Sequence, residues 1–138
     1  MAALTLLAGA CGGGGFELSI GDCVRTPPEG AGPDGFADVT VVDCDEPHEL
    51  EVFHVFELGP EQITGDAMVS EIAQACLGDA WTHYLGVPAG ESPIELLPIP
   101  PDSDELAAGE DREVICTVRE PGGATRTGAL RAGSDAAA

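Results

Sequence analysis

The sequence predicts a small α+β domain in which a mostly antiparallel sheet carries one main amphipathic helix and is closed by two disulfides. Three observations predict it. Several short stretches alternate apolar and polar residues with the period of a strand that buries one face, as Phe16, Leu18 and Ile20 do near the start and Val114, Cys116 and Val118 do near the end. One segment, residues 66–85, instead repeats apolar residues at helical spacing. Four cysteines, Cys23, Cys44, Cys76 and Cys116, are spread over these segments. Aromatic residues are few, and 19 Gly with 11 Pro cut the chain into short elements, so the core is thin. Disulfides are the usual remedy, each worth about 3 kcal/mol when it closes a loop of tens of residues.

The elements follow in order. Residues 16–20 read as the first strand, turned by Gly21 and Asp22 toward Cys23. Residues 27–35, with three prolines and three glycines, form a loop before a second strand over 39–44. Pro47 lacks a donor and interrupts, and the third and longest strand spans 49–58. Leu50, Val52, His54, Phe56 and Leu58 share one of its faces, with Phe53 and Val55 on the other. Asp66 caps a helix that ends at Gly86, with Met68, Val69, Ile72, Ala73, Cys76, Ala80 and Tyr84 on its apolar stripe. Gly78 costs that helix about 1 kcal/mol relative to Ala, which places it where backbone packs closely against the sheet. Residues 94–99 form an edge strand around Pro98, and 102–111 an acidic loop with one helical turn. A strand over 113–119 and a final hairpin partner over 125–131 complete the sheet, with Gly122 and Gly123 turning the chain between them.

The 138 residues suffice for one domain, and no composition shift in the middle divides them. Residues 2–10 are almost wholly apolar or small, too short to span a bilayer but of the length of a signal-peptide core. Leu7, Ala8, Gly9, Ala10 and Cys11 resemble the bacterial lipobox, in which the cysteine is acylated. No basic residue precedes this run, so the natural start is expected upstream of Met1. The organisation is then a signal peptide and lipobox over 1–11, a flexible glycine tether over 12–15, the domain over 16–131 and a disordered tail over 132–138. Acylation also accounts for the fifth cysteine, because two disulfides leave Cys11 unpaired. The expected address is the outer face of the cytoplasmic membrane, with a lipid anchor as the contact to the bilayer.

With 25 acidic residues, five arginines and no lysine, the net charge is −20. Such a chain does not suit nucleic acid, whose phosphates need clustered cations. No motif calls for a cofactor, the serines lack a nucleophile-elbow context, and no phosphate-binding loop opens a helix. Cys44, His48 and His54 are spaced as zinc ligands could be, and His48 as a base for a cysteine nucleophile. A half-cystine offers no thiolate for either role. His48 after Pro47 is instead expected to fix its turn by a hydrogen bond through the ring, and His54 to be a satisfied interior or edge histidine. Asp22, Asp43, Asp45 and Glu46 lack the calcium-loop pattern and read as part of the general acidity. Asp111 and Arg112 are singled out as an ion pair, with Asp22 or the Asp45 and Glu46 turn as further partners of Arg112.

From Phe16 to Leu130 the chain resembles the septum-formation domain of actinobacterial membrane-attached proteins. The phrases that carry the likeness are Gly21, Asp22, Cys23 and Val24; Cys44, Asp45, Glu46, Pro47 and His48; Cys76 in a helix ending Tyr84, Leu85 and Gly86; and Gly109, Glu110, Asp111 and Arg112 leading to Cys116. Four cysteines allow three pairings, and the sequence leaves all three open. The resemblance implies Cys23 with Cys44 and Cys76 with Cys116, and it carries over no catalytic residue. The function expected is a non-enzymatic interaction module, tethered outside the membrane and concerned with septum formation or envelope assembly, its partners being envelope or division proteins. The alternative is a secreted hydrolase or metal-dependent enzyme using His48 and nearby carboxylates. Oligomeric state is not legible in the sequence.

Overall fold

The structure, a computed structural model, describes residues 18–26 and 39–132. Strands β1 (Cys23–Arg25), β2 (Thr40–Val42), β3 (Leu50–Glu57), β4 (Glu95–Ile99) and β5 (Glu113–Arg119) form one antiparallel sheet in the order β2-β1-β3-β5-β4. Between β3 and β4 the chain makes a bent helix from α1 (Gly65–Leu77) and α2 (Asp79–Leu85), and a short α3 (Ser103–Ala108) precedes β5. This is the α+β architecture expected, with two disulfides, Cys23–Cys44 and Cys76–Cys116, paired as the family resemblance implied. The signal-peptide reading, Cys11, the glycine tether and residues 133–138 lie outside the described residues.

The centre of the sheet is β3 against β5. Val114, Ile115, Cys116, Thr117 and Val118 are all buried, because β5 is covered on both faces. One face meets the bent helix through Phe53, Cys76, Trp81, Tyr84, Cys116 and Val118. On the opposite face Val24, Leu50, Val52, Ile99 and Ile115 cluster, with Leu18 and Val39 packed against them. A third cluster of Leu58, Leu106 and Val114 ties α3 to the sheet. Asp102 caps α3, its Oδ2 accepting the N–H groups of Asp104 and Glu105, and that anchors the helical turn expected in the acidic segment.

Several expectations are corrected. The third strand does not keep one face from Leu50 to Leu58. Its pairing with β5 shifts between Val52 and His54, so Phe53 is an extra residue and the faces exchange beyond it. Leu50 and Val52 therefore share a cluster with Val55, while Phe53 and Phe56 face the helix. Of the strand expected over 16–20, residues 16 and 17 lie outside the described residues and 18–20 are not strand; the first described strand begins at Cys23, just after the Gly21 N–H donates to the Val52 carbonyl at 2.8 Å and the Val52 N–H donates to the Asp22 carbonyl at 2.9 Å. Ile20 before it is 57% exposed.

The helix starts one residue before Asp66, with Thr64 at its N-cap, and bends at Gly78. A Cβ there would lie 2.9 Å from the carbonyl oxygen of Gln74, so the close approach is to the helix's own backbone and not to the sheet. Beyond the bend Trp81 is the largest fully buried side chain, whereas Val69, expected on the stripe, is 64% exposed. Gly86, with φ of 86° and its N–H bonded to the Thr82 carbonyl, ends the helix as expected. No strand forms over 125–131. That segment makes only an isolated bridge between Arg126 and His48, and its remaining contacts go to a turn and to side chains.

Candidate functional site

Among the described residues the fold buries the polar side chains of His48, Glu51 and Thr117; Thr117 donates to the Leu97 carbonyl of β4 at 2.6 Å, while His48 and Glu51 gather where the turn after β2, the start of β3 and the segment after β5 meet. The turn of Cys44, Asp45, Glu46, Pro47 and His48 is closed by the Glu46 N–H on the Asp43 carbonyl at 2.9 Å. Arg25 holds it from β1, its Nε donating to the Pro47 carbonyl at 3.1 Å and its guanidinium pairing with Glu46 at 3.5 Å. His48 Nδ1 lies 2.8 Å from the Glu46 carbonyl, so this nitrogen carries the proton and donates, and the ring fixes the turn as expected. Its other nitrogen, Nε2, is buried without a hydrogen-bond partner among the described residues.

Glu51 stands directly across from Cys23 in the β1–β3 pairing and is 1% exposed. Its carboxylate is met on both oxygens. Tyr84, from α2, donates its hydroxyl at 2.5 Å, and the Leu130 N–H donates at 2.7 Å. A ring nitrogen of His48, a carboxylate oxygen of Glu51 and the Cys23 sulfur all lie within 4.8 Å of one another.

The segment 125–132 covers this cluster as a strap. Thr125 Oγ1 donates to Glu49 at 2.6 Å, the N–H of Arg126 to the His48 carbonyl at 2.9 Å, that of Gly128 to the Cys44 carbonyl at 2.7 Å, and that of Ala132 to the Tyr84 carbonyl at 2.7 Å. Arg126 stiffens the strap by pairing with Glu120 and by donating from Nε to the Gly128 carbonyl at 2.8 Å. Glu49 also accepts from Thr26 N–H at 2.9 Å. Partial burial acts to raise the Glu49 pKa, but the hydrogen bonds from Thr125 and Thr26 and the charge of Arg25 outweigh it, and the net shift is downward from the usual 4.5.

Tyr84 is shifted in the other direction. Burial first, then the hydrogen bond to Glu51 and that group's charge, hold the phenol well above its ordinary 10.0, with Arg131 opposing. A pKa raised in the folded state means that stability is fully present below pH 10 and is lost as pH rises beyond it. Tyr84 is the sole tyrosine. Phenolate absorbance is therefore expected to stay flat through pH 10 and to rise only together with loss of the far-ultraviolet dichroism. A midpoint near 10 in the folded protein would contradict the buried Tyr84–Glu51 bond.

The residues singled out in the sequence divide. Asp22 serves locally, its carboxylate accepting the Ser19 N–H at 2.8 Å, and Asp45 is exposed. Asp111 accepts the Glu113 N–H at 2.9 Å. The expected pairing of Arg112 with Asp111, Asp22, Asp45 or Glu46 is not formed among the described residues; the buried Nε of Arg112 has no hydrogen-bond partner there, and the Arg112 carbonyl accepts from Leu58 N–H at 2.8 Å. His54 is half-buried and stacks on Phe56, with ring centroids 6.0 Å apart, outside the cluster. Sequence reasoning missed Glu51 and Tyr84. An acid on a strand of so acidic a chain looks like solvent-facing charge, and the one available signal is that Glu51 sits between Leu50 and Val52 on the longest strand, with Phe53 and Val55 on its own expected face.

Fold and site together define a disulfide-linked α+β domain with a buried His–Glu–Tyr cluster beneath a C-terminal strap. No protein-family model, curated protein or solved structure matches the chain. Among the described residues, no helix is long and apolar enough to cross a membrane.

Proposed function

We propose that this chain is an exported interaction module, held outside the cytoplasmic membrane by acylated Cys11 and serving septum formation or envelope assembly without catalysis of its own. The observation that carries the reading is the pair of disulfides, whose Cys23, Cys76 and Cys116 sulfurs are fully buried, since such cross-links persist in oxidising compartments. Burial also favours it over a hydrolase. His48 and Glu51 are each 1% exposed beneath the strap, so neither meets a substrate as the protein stands. The lipobox and the septum-formation phrases supply the tether and the setting.

Metabolic labelling with an alkyne fatty acid in an actinobacterial host tests the anchor. The expected result is label on the wild type and its loss, with release from the membrane fraction, in Cys11→Ser. An unlabelled wild type, or an unchanged distribution of the variant, removes the anchor from the proposal. Even spread of a fluorescent fusion, with normal septa in a deletion strain, removes the division role.

A further inference from the structure

The His48–Glu51 cluster holds more ligand chemistry than a structural role uses. His48 Nε2 keeps a buried lone pair without a hydrogen-bond partner among the described residues, and an unpartnered buried acceptor costs about 1–3 kcal/mol. Its Nδ1–H points to a backbone carbonyl, the outer contact that fixes tautomer and ring orientation in metal-binding histidines. Glu51 spends one lone pair of each oxygen on Tyr84 and Leu130 and keeps the others. Beside them stands Cys23, joined to Cys44. In the disulfide neither sulfur is a thiolate, so the oxidised protein offers one nitrogen and one carboxylate, short of the three or four ligands that zinc needs.

We propose that reduction of the Cys23–Cys44 disulfide turns this cluster into a tetrahedral site for a divalent transition metal, zinc by its ligand chemistry, bound by Cys23 Sγ, Cys44 Sγ, His48 Nε2 and a Glu51 oxygen. An external dithiol supplies two electrons and two protons: the sulfur–sulfur bond breaks, two thiols form, and the dithiol leaves as its own disulfide. The metal then displaces the two thiol protons to solvent. Zinc–sulfur bonds near 2.3 Å and zinc–nitrogen or zinc–oxygen bonds near 2.1 Å put ligand atoms roughly 3.3–3.8 Å apart. A ring nitrogen of His48, a carboxylate oxygen of Glu51 and the Cys23 sulfur already lie within 4.8 Å of one another, so inward shifts of about 1 Å bring these three residues to that spacing. The Cα atoms of Cys23 and Cys44, 5.2 Å apart, keep both thiolates in reach of one ion. The second disulfide has no such neighbours, because the described residues gather no comparable group around Cys76 and Cys116. The inference goes beyond the interaction-module reading and does not rest on it. The domain would pass between a disulfide-closed and a metal-closed form of one turn.

The test uses the full chain, reduced with a phosphine, desalted without oxygen and titrated with cobalt(II) as a spectroscopic probe. One equivalent is expected to bind with thiolate charge-transfer and tetrahedral visible bands that zinc then abolishes, while the oxidised chain shows neither. His48→Ala and Cys23→Ser are expected to weaken binding by more than the roughly 100-fold that loss of an outer-shell partner costs. X-ray absorption of the zinc-loaded, reduced wild type is expected to read two sulfur and two nitrogen or oxygen ligands. It needs no variant that folds. A different first shell, four sulfurs included, overturns the proposal, as does wild-type binding by His48→Ala, equal binding by the oxidised chain, or no binding after reduction.

Discussion

Trp81→Ala is expected to destabilise the domain by about 3–5 kcal/mol, the range for deleting a buried large aromatic. Trp81 is 1% exposed and sits at the centre of the helix–sheet interface, edge-on to Phe53 with ring centroids 5.7 Å apart. Removing the indole leaves a cavity that the bent helix cannot close, because Cys76 pins α1 to β5 on the same face. Trp81→Phe is the informative companion. The indole N–H is buried without a partner among the described residues, so phenylalanine gives up volume and also removes an unsatisfied donor. Its loss should be well below that of alanine. Denaturant unfolding followed by circular dichroism measures both, and equal losses would mean that the indole N–H has a partner after all.

Removing the Cys76–Cys116 bond, by Cys76→Ala with Cys116→Ala, is expected to cost about 4 kcal/mol, from the loop entropy that its 40-residue separation returns to the unfolded chain. The 21-residue separation of Cys23 and Cys44 gives about 3 kcal/mol by the same reasoning. The longer loop should therefore matter more. Its two sulfurs also lie in the main core cluster, so the alanines add a packing loss. A stability of about 5–15 kcal/mol is ordinary for a domain, and the double variant would lose much of that. The transition midpoint should fall, and the denaturant slope should rise as the unfolded chain expands. A midpoint that moves less than in the Cys23→Ala, Cys44→Ala variant would refute the ordering. Trp81 and Cys76 share neighbours, so Trp81→Ala in the disulfide-free background is expected to cost less than in the wild type.

How much could be read beforehand varied with how local the cause was. The strand over 113–119 is legible with its limits unchanged, because Val114, Cys116 and Val118 alternate without interruption and glycines bound the region. Helix existence, its end at Gly86 and the edge position of the Pro98 strand were legible for the same reason. The bulge at Phe53 was not, since it adds one residue to a run that remains apolar on either count. The bend at Gly78 was not either, for a glycine in a helical pattern does not say which neighbour it approaches. In the site, His48 was legible from Pro47 and the turn around it. The role of Glu51 was not, because the partners that satisfy it are 33 and 79 residues away.

By itself, then, the sequence determined what repeats over a few residues: strand alternation, helical stripe, turn chemistry at Pro47 and Gly86, and four cysteines available for cross-linking. Tertiary structure decided which carboxylate is buried, which histidine nitrogen is left free, and that residues 125–132 form a strap and not a strand. Periodicity records only whether a side chain faces inward. Whether a buried polar group is satisfied depends on partners brought in from distant parts of the chain: at Glu51 the Tyr84 hydroxyl and the Leu130 N–H arrive only when α2 and the strap close over β3, and among the described residues no donor reaches His48 Nε2.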